Sequence, residues 1–363
     1  MKQENPIKLE NLSVHKETIL VYRKALVDYL FSINRAQDIP EVIAGFVDLD
    51  QIPGNRVAVT VVIDNLHTIM TYFQDEFIGL KVVNFIDIKA LRLYQGLSKC
   101  IAPLSQNVSQ EVLFIVSCRL IIGYLTMLTD MVEINLMTDD NKVCLEFRPV
   151  AEHMINKNHM DMIVFIIVKI VHAISGIKPT HLDVPYRVAT HDLRFYNTYV
   201  GVKAKSSKHN ARLNYYLGQS IKTLFKSSTY ASFRKVSKGN LFINPINNML
   251  NDEFLPLSYI EKCRRVLFTT MGIFEPTRDQ VSQALNMSIS SLQRRLSDEN
   301  TTFNDVLLDL RKELAYKYLI QHRMPSSYVA YLLGYKSSSQ FFTAFKRWFG
   351  VTPKAYQQLH LTE

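Results

Sequence analysis

Val281–Leu296 reads VSQALNMSISSLQRRL and Val329–Phe345 reads VAYLLGYKSSSQFFTAF, and the two stretches follow one pattern. Ser282 aligns with Ala330, Leu285 with Leu333, Asn286 with Gly334 and Met287 with Tyr335. After a one-residue insertion in the second copy, Leu292 aligns with Phe341 and Leu296 with Phe345. A small residue lets two helices cross closely. The residue four positions on tolerates the left-handed backbone of a tight turn, as Asn and Gly do. A helix follows with apolar residues at i and i+4 inward and polar or basic residues outward, which is the helix-turn-helix pattern written twice.

In the first copy, at about 277–299, Pro276 stands near the start of the leading helix, where its missing N–H costs little. The turn falls at Asn286–Ser288, and a second helix at about 290–299 faces Leu292 and Leu296 inward. That turns Ser290, Gln293, Arg294 and Ser297 outward. Gln pairs with adenine N6 and N7, and Arg with guanine O6 and N7. The second copy, at about 325–349, leads through Pro325–Leu333 to a turn at Gly334–Lys336. Its second helix, about Ser338–Phe349, packs through Phe341, Phe345 and Trp348 and presents Ser338, Ser339, Phe342, Thr343, Lys346 and Arg347. Serines at a helix start bond bases or phosphates, and Lys336, Lys346 and Arg347 suit phosphates, a solvated basic face being the lesser alternative for the last two.

A connecting helix over Thr302–Gln321, capped by Thr302, places Phe303, Leu307, Leu310, Leu314 and Tyr318 on one face. Twenty helical residues span about 30 Å. Successive major grooves on one face of DNA lie about 34 Å apart. A rigid spacer of this length can hold two motifs in register on one site.

The rest of the chain sets the frame. Of 363 residues, 47% are apolar and 21% charged, the composition of a globular chain long enough for two or three domains. The net charge of +9 suits a polyanionic partner. Six lysines and eight arginines against nine acidic residues leave +5 on residues 257–363. The four cysteines are far apart and form no C-x-x-C, so neither a disulfide framework nor a zinc knuckle is expected. The polar start MKQENPIKLENLSVHK lacks a signal core. Two oily segments, Val112–Met131 and Met160–Ile177, carry Arg119, and Lys169 with His172, near their middles. A bilayer span rarely accepts that cost, so both read as buried helices of a cytoplasmic protein.

Residues up to about Asp130 are predicted mainly helical, at Tyr22–Asn34, Asn65–Phe73, Leu91–Cys100 and Ser109–Leu128. The period then changes. Val132–Met137 and Lys142–Phe147 alternate around the polar Thr138–Asn141, a β-hairpin by turn chemistry. A long apolar helix is expected at about His159–Ser175, ended by Gly176. A strand follows in Thr180–Tyr186, a short helix in His191–Tyr199 and a last strand in Gly239–Asn244. Residues 201–250 hold nine Lys or Arg and no acid. They read either as a solvated face with a linker or as an anion-binding surface. The expected division is 1–250 and 251–363, with the boundary within Asn244–Leu257.

Five of the ten histidines lie between His153 and His191, but none are paired at i, i+4 on a helix, so no metal site is expected. No phosphate loop, nucleophile elbow or kinase signature points to a catalytic residue or a cofactor.

The last hundred residues closely resemble the AraC/XylS class of bacterial transcription regulators. The resemblance rests on Arg311 and Ala315 of an R-x-x-x-A pattern, on LGY at Leu333–Tyr335, and on Phe341–Pro353 with Tyr356. More loosely, IPEVIAGFVDLDQIP (Ile39–Pro53), FIGLKV (Phe77–Val82) and LEFRP (Leu145–Pro149) resemble the non-cupin, "arabinose-binding type" effector domain of one branch. The resemblance implies an α+β effector domain followed by an all-α, seven-helix DNA-binding domain. It implies sequence-specific binding to a double-stranded operator, usually as an activator that works with RNA polymerase and responds to a small molecule, with a homodimer as one form.

Ser290, Gln293, Arg294, Ser338, Ser339 and Thr343 are then the candidates for base contacts. Lys336, Lys346 and Arg347 are the candidates for phosphate. The chain departs from the class at Ser282 and Asn286, usually Ala and Gly, and at Thr343, where a basic residue is common. The first motif is therefore expected to specify and the second to anchor. The alternatives are an enzyme with a DNA-binding tail, such as a cysteine-dependent repair methyltransferase, and a non-specific architectural binder.

Overall fold

Strand β1 (Ser13–His15) pairs antiparallel with β2 (Arg56–Ala58), a short ribbon absent from the sequence-based expectation. Its fastening is a buried arginine. Arg56 Nε donates to Ser13 Oγ at 2.8 Å, and its Nη2 reaches the Asp130 carboxylate at 3.2 Å. Asp130 also accepts from the Ser13 amide at 3.0 Å and hydroxyl at 2.9 Å, so each polar group of this knot has a partner. The structure is a computed structural model and describes residues 12–105, 109–151, 155–185, 190–226, 257–272 and 275–360.

Helices α1 (Lys16–Ser32), α2 (Ile39–Ala44), α3 (Val59–Phe73), α4 (Ile78–Val83) and α5 (Arg92–Ser105) follow. Helix α6 (Gln110–Leu128) starts where Ser109 accepts the Val112 amide. It covers the first oily segment and packs against α7 (Lys157–Ser175), which covers the second. Helix α7 is long and apolar enough to cross a membrane, yet 56% of its apolar window is buried inside the protein. Lys169 escapes the apolar layer by donating to the carbonyls of Asn84 at 2.9 Å and Ile86 at 3.2 Å.

The hairpin forms as β3 (Val132–Asp139) and β4 (Lys142–Pro149), with Asp140 at the turn at φ 48°. Strand β5 (His181–Val184), helix α8 (Thr190–Val200) and strands β6 (Lys203–Ser206) and β7 (Ala211–Tyr216) complete a five-stranded sheet in the order β3-β4-β7-β5-β6. All pairs are antiparallel except β5–β6. A short α9 (Ile221–Lys226) follows.

The basic stretch is thus corrected over residues 203–216. It is sheet rather than linker, and β7 lies at the centre. Leu213 and Tyr215 are fully buried, and Arg212 pairs with Glu146 of β4 at 2.6 Å. Residues 227–250 of that stretch, the strand expected at Gly239–Asn244 and nearly all of the proposed boundary lie outside the described residues.

From residue 257 onward the described chain is helical: α10 (Tyr259–Thr270), α11 (Arg278–Ala284), α12 (Ile289–Asp298), α13 (Phe303–Tyr316), α14 (Ser326–Leu332), α15 (Ser338–Phe349) and α16 (Pro353–Leu359). The architecture is an α+β N-terminal region followed by an all-α helix-turn-helix region.

The two regions meet on α6. Gly123 lies so close to α10 that an added Cβ would come within 2.5 Å of the Thr269 side chain. Arg119 Nη2 donates to the Met271 carbonyl and, at 3.3 Å, to that of Leu332 at the end of α14. Arg265 of α10 donates to the Thr126 carbonyl at 3.0 Å. Positions 119, 123 and 126 form one helical stripe at steps of four and three. Farther along, Glu133 of β3 pairs with Lys317 and, at 3.1 Å, with Arg148. Burial alone would raise the Glu133 carboxyl, but the hydrogen bond and charge of Lys317, with Arg148, bring it below its ordinary value.

The opposite stripe of α6, Tyr124, Leu125 and Leu128, lines a cavity of about 670 Å³ bordered mainly by α1, α3, α5, α6 and α7. One helix therefore has the cavity on one side and the helix-turn-helix region on the other. Gly123→Val is expected to lower the unfolding free energy by about 1–3 kcal/mol through overpacking. In urea denaturation, Thr269→Ala in the same chain should recover part of that loss. An identical loss with and without Thr269→Ala would mean that the helices are not in contact there.

Candidate nucleic-acid interface

Each motif is built by a cap, a small residue and a left-handed turn. In the first, Thr277 accepts the Gln280 amide to start α11 and Ser288 accepts the Ser291 amide to start α12. Ser282 is buried and returns its hydroxyl to the Asp279 carbonyl at 2.9 Å, which leaves the helix crossing open. Asn286 takes φ 53°, as the tight turn requires. In the second motif Ala330 is fully buried and Gly334 takes φ 77°. An added Cβ at Gly334 would meet Pro276 at 3.1 Å, so both its backbone and its surroundings suit glycine. Ser337, which falls between the expected turn and the expected helix, caps α15 by accepting the Gln340 amide.

The inner faces are as spaced in the sequence. Leu292 and Leu296 of α12 and Phe341 and Phe345 of α15 are completely buried. Phe345 sits within an aromatic cluster, its ring centroid 4.5 Å from Phe349, 5.4 Å from Tyr356 and 5.5 Å from Phe341. On the outside, Ser290, Gln293, Arg294 and Ser297 of α12 are exposed together, and Ile289 adds an apolar surface that the sequence reading did not single out. On α15, Ser339, Phe342, Thr343, Lys346 and Arg347 are exposed and Ser338 is half-buried. Thr343 spends its hydroxyl on the Ser339 carbonyl at 3.1 Å. Lys336 pairs with Glu275 at 3.1 Å, both exposed, a pair of small net worth that a phosphate can displace. Arg294, Lys346 and Arg347 have no ion-pair partner among the described residues.

The spacer differs from the uniform α-helix expected. Helix α13 opens with a capping box, Thr302 accepting the Asp305 amide and Asp305 accepting the Thr302 amide. Its buried face is Phe303, Val306, Leu310, Leu314 and Ala315, so Val306 takes the place expected for the half-buried Leu307. At Lys317–Gln321 the helix widens to a π turn, with the His322 amide bonding the Lys317 carbonyl five residues back. Arg311 ties the spacer to the second turn. Its Nε donates to the Leu333 carbonyl at 3.0 Å, and its guanidinium lies 4.4 Å from the Tyr335 ring centroid. At the other end, Glu299 accepts the amides of Tyr259 and Ile260 at 2.7 and 2.8 Å, which joins α12 to the start of α10.

The described cysteine side chains do not have the setting of a reactive thiolate. Cys118, Cys144 and Cys263 are buried, and burial pushes Cys144 and Cys263 up to about 12 and Cys118 higher still. The Cys100 side chain lies outside the described residues.

Comparison with known proteins agrees with this geometry. The sequence model of a helix-turn-helix domain family matches residues 281–359. The ornithine utilization regulator of Pseudomonas aeruginosa is 39% identical over 99 residues, 27% of this chain and 29% of that protein. The transcriptional activator FapR of Escherichia coli is 35% identical over 77 residues, 21% of this chain and 30% of that protein. The crystal structure of the regulator CdpR from Pseudomonas aeruginosa aligns over 93% of this chain and 98% of its own at 15% identity, with a TM-score of 0.39.

The chain thus covers under a third of the length of the ornithine utilization regulator and of FapR. The C-terminal region is a double helix-turn-helix unit. More narrowly, it is a helix-turn-helix domain of the AraC type.

Arg311→Lys keeps the charge but gives up the Nε–H bond and the ring contact. It is expected to cost about 1–3 kcal/mol of stability in urea. It should weaken binding to any DNA sequence without changing the preferred one. Unaltered stability would remove Arg311 as the tie between spacer and turn.

Proposed function

We propose that the chain is a sequence-specific DNA-binding transcription regulator, an activator whose action responds to a small molecule held by the N-terminal region. The observation that supports this most is the pair of recognition helices. Helices α12 and α15 share one inner scaffold, are joined through a helix tied to the second turn, and present exposed polar and basic faces. The relatives that match part of the chain carry the names of transcription regulators, among them activators.

On this reading the division falls near residue 250, with an effector region before it and a DNA-binding domain after it. Gln293 and Arg294, with Ser290, read base edges in one major groove. Ser338, Ser339 and Thr343 meet bases less selectively in the next, while Lys336, Lys346 and Arg347 hold phosphates. The partners are a double-stranded operator, RNA polymerase and a second copy of the chain, in the cytoplasm. The chemistry is binding rather than catalysis.

The first motif specifies and the second anchors, because the Thr343 hydroxyl is already engaged while Arg294 is exposed and uncommitted. Arg294→Ala is expected to cost about 1–3 kcal/mol and to relax preference at one base pair. Selection from randomised sites, with protection mapping upstream of the chain's own gene, would measure it. Arg347→Ala should instead weaken all sequences alike and lower the slope of log K against log salt by about 1. An unchanged site preference after Arg294→Ala would take α12 out of the groove.

A further inference from the structure

The cavity of about 670 Å³ has a size that suits a small-molecule ligand, within the roughly 300–1,000 Å³ range of such sites. Its wall is mostly apolar and comes mainly from five helices, with Val62, Met162, Ile163 and Ile166 among the lining side chains. Three of the lining residues, on three of those helices, carry buried polar atoms without a partner among the described residues. Tyr22 Oη on α1, Asn65 Oδ1 on α3 and His159 Nε2 on α7 are buried and have no hydrogen-bond partner among the described residues. Asn65 and His159 are 6% and 4% exposed, so water outside the protein does not satisfy them. Buried polar atoms are normally paired, and three orphans in one wall call for a common partner.

Their hydrogen-bonding sense can be worked out. Asn156 Oδ1 accepts from the Asn158 and His159 amides at 3.0 and 3.3 Å, which identifies that atom as the oxygen. The His159 ring places Nδ1 2.8 Å from the same oxygen, so Nδ1 carries the proton and Nε2 offers a lone pair. Burial pushes His159 down to about 4, so the ring is neutral at physiological pH. Asn65 Oδ1 is likewise an acceptor, and the Tyr22 hydroxyl can donate or accept. The Arg92 guanidinium at the rim is 71% exposed and pairs with Glu17 at 3.4 Å. The three unpartnered atoms are therefore two acceptors and one hydroxyl, and Arg92 at the rim is committed to a carboxylate.

We infer that this cavity binds an uncharged, largely hydrocarbon molecule through a hydroxyl or N–H donor shared between Asn65 and His159, with Tyr22 completing the hydrogen bonding of that polar end. An alcohol or a secondary amide fits; a carboxylate meets two acceptor lone pairs and is disfavoured. The role of this ligand as an effector rests on the regulator reading above, and its route to the DNA-binding helices is α6, whose cavity stripe lies opposite Arg119 and Gly123.

The test uses the full chain without DNA. N-phenyl-1-naphthylamine, uncharged and carrying one N–H, is the fluorescent reporter, and decan-1-ol, 1-methoxydecane and decanoate are the competitors. Decan-1-ol is expected to displace the reporter at about three- to tenfold lower concentration than its methyl ether, the worth of one hydrogen bond. Decanoate should compete least. Asn65→Leu removes the unpartnered Oδ1, and His159→Leu removes the unpartnered Nε2 together with the Nδ1 bond to Asn156. Thermal unfolding should show both variants folded, and each should flatten the alcohol-over-ether preference. Equal displacement by the three competitors, an alcohol preference unaltered in both variants, or no saturable reporter binding would overturn the assignment. Operator binding is measured separately. A chain that prefers the alcohol but no DNA sequence would overturn the regulator reading and leave the ligand class standing.

Discussion

Much of the molecule turns on where one guanidinium goes. Arg119 stands in the middle of an apolar helix, a position that would be untenable in lipid and costly in a closed core. It is tolerated because its Nη2 reaches out of the N-terminal region to carbonyls on either side of the first motif, Met271 before it and Leu332 after the spacer. Gly272 makes room for this. It takes φ 81°, and an added Cβ there would lie 2.8 Å from the Leu332 carbonyl and 2.9 Å from Arg119 Nη1. A charged hydrogen bond to the open carbonyls of a helix end is worth more than a neutral one, so the contact orients as well as attracts. With Gly123 pressed on Thr269, it fixes α6 against α10 and lets the N-terminal region touch the second motif directly.

The C-terminal architecture was legible because its signal is local. A small residue, a turn residue four positions on and an i, i+4 apolar pair are properties of single helices and turns, and Ser282, Asn286, Leu292 and their counterparts sit where that pattern puts them. The hairpin of β3 and β4 was legible for the same reason, its period and turn being contained in eighteen residues. What escaped was long-range. Strands β1 and β2 are three residues each and gain their meaning only from Arg56 and Asp130, which lie far apart in sequence. Strand β7 was hidden by its basic flanks, because charge composition was weighed over 201–250 while the alternation of Leu213 and Tyr215 was not.

The outer faces of the motifs were readable only as lists of exposed residues, since no periodicity says which exposed residue meets a base. Side-chain bonding adds what the spacing lacked. Ser337 and Ser288 are spent on caps, Thr343 on a backbone carbonyl and Lys336 on Glu275, whereas Arg294, Lys346 and Arg347 stay uncommitted among the described residues. An engaged hydroxyl must break one bond to make another and so discriminates weakly, while an uncommitted guanidinium brings its full fork to a guanine edge. The asymmetry between the two copies is therefore one of availability as much as of residue type.

That asymmetry also bears on which copy the N-terminal region can influence. The seam from α6 touches α10, Met271 and the end of α14, and Glu133 reaches Lys317 where the spacer widens to a π turn. Leu332 and Lys317 belong to the second motif and its approach, while α10 and Met271 lead into the first, whose α12 carries Gln293 and Arg294. A ligand shifts an equilibrium only as far as it binds two arrangements unequally. A displacement of α6 would act first on α10 and the end of α14, which carry its contacts. On the regulator reading proposed above, the quantity such a device controls is whether both helices engage one DNA face at once, and that gain is the multiplicative one of joining two weak contacts through a rigid spacer.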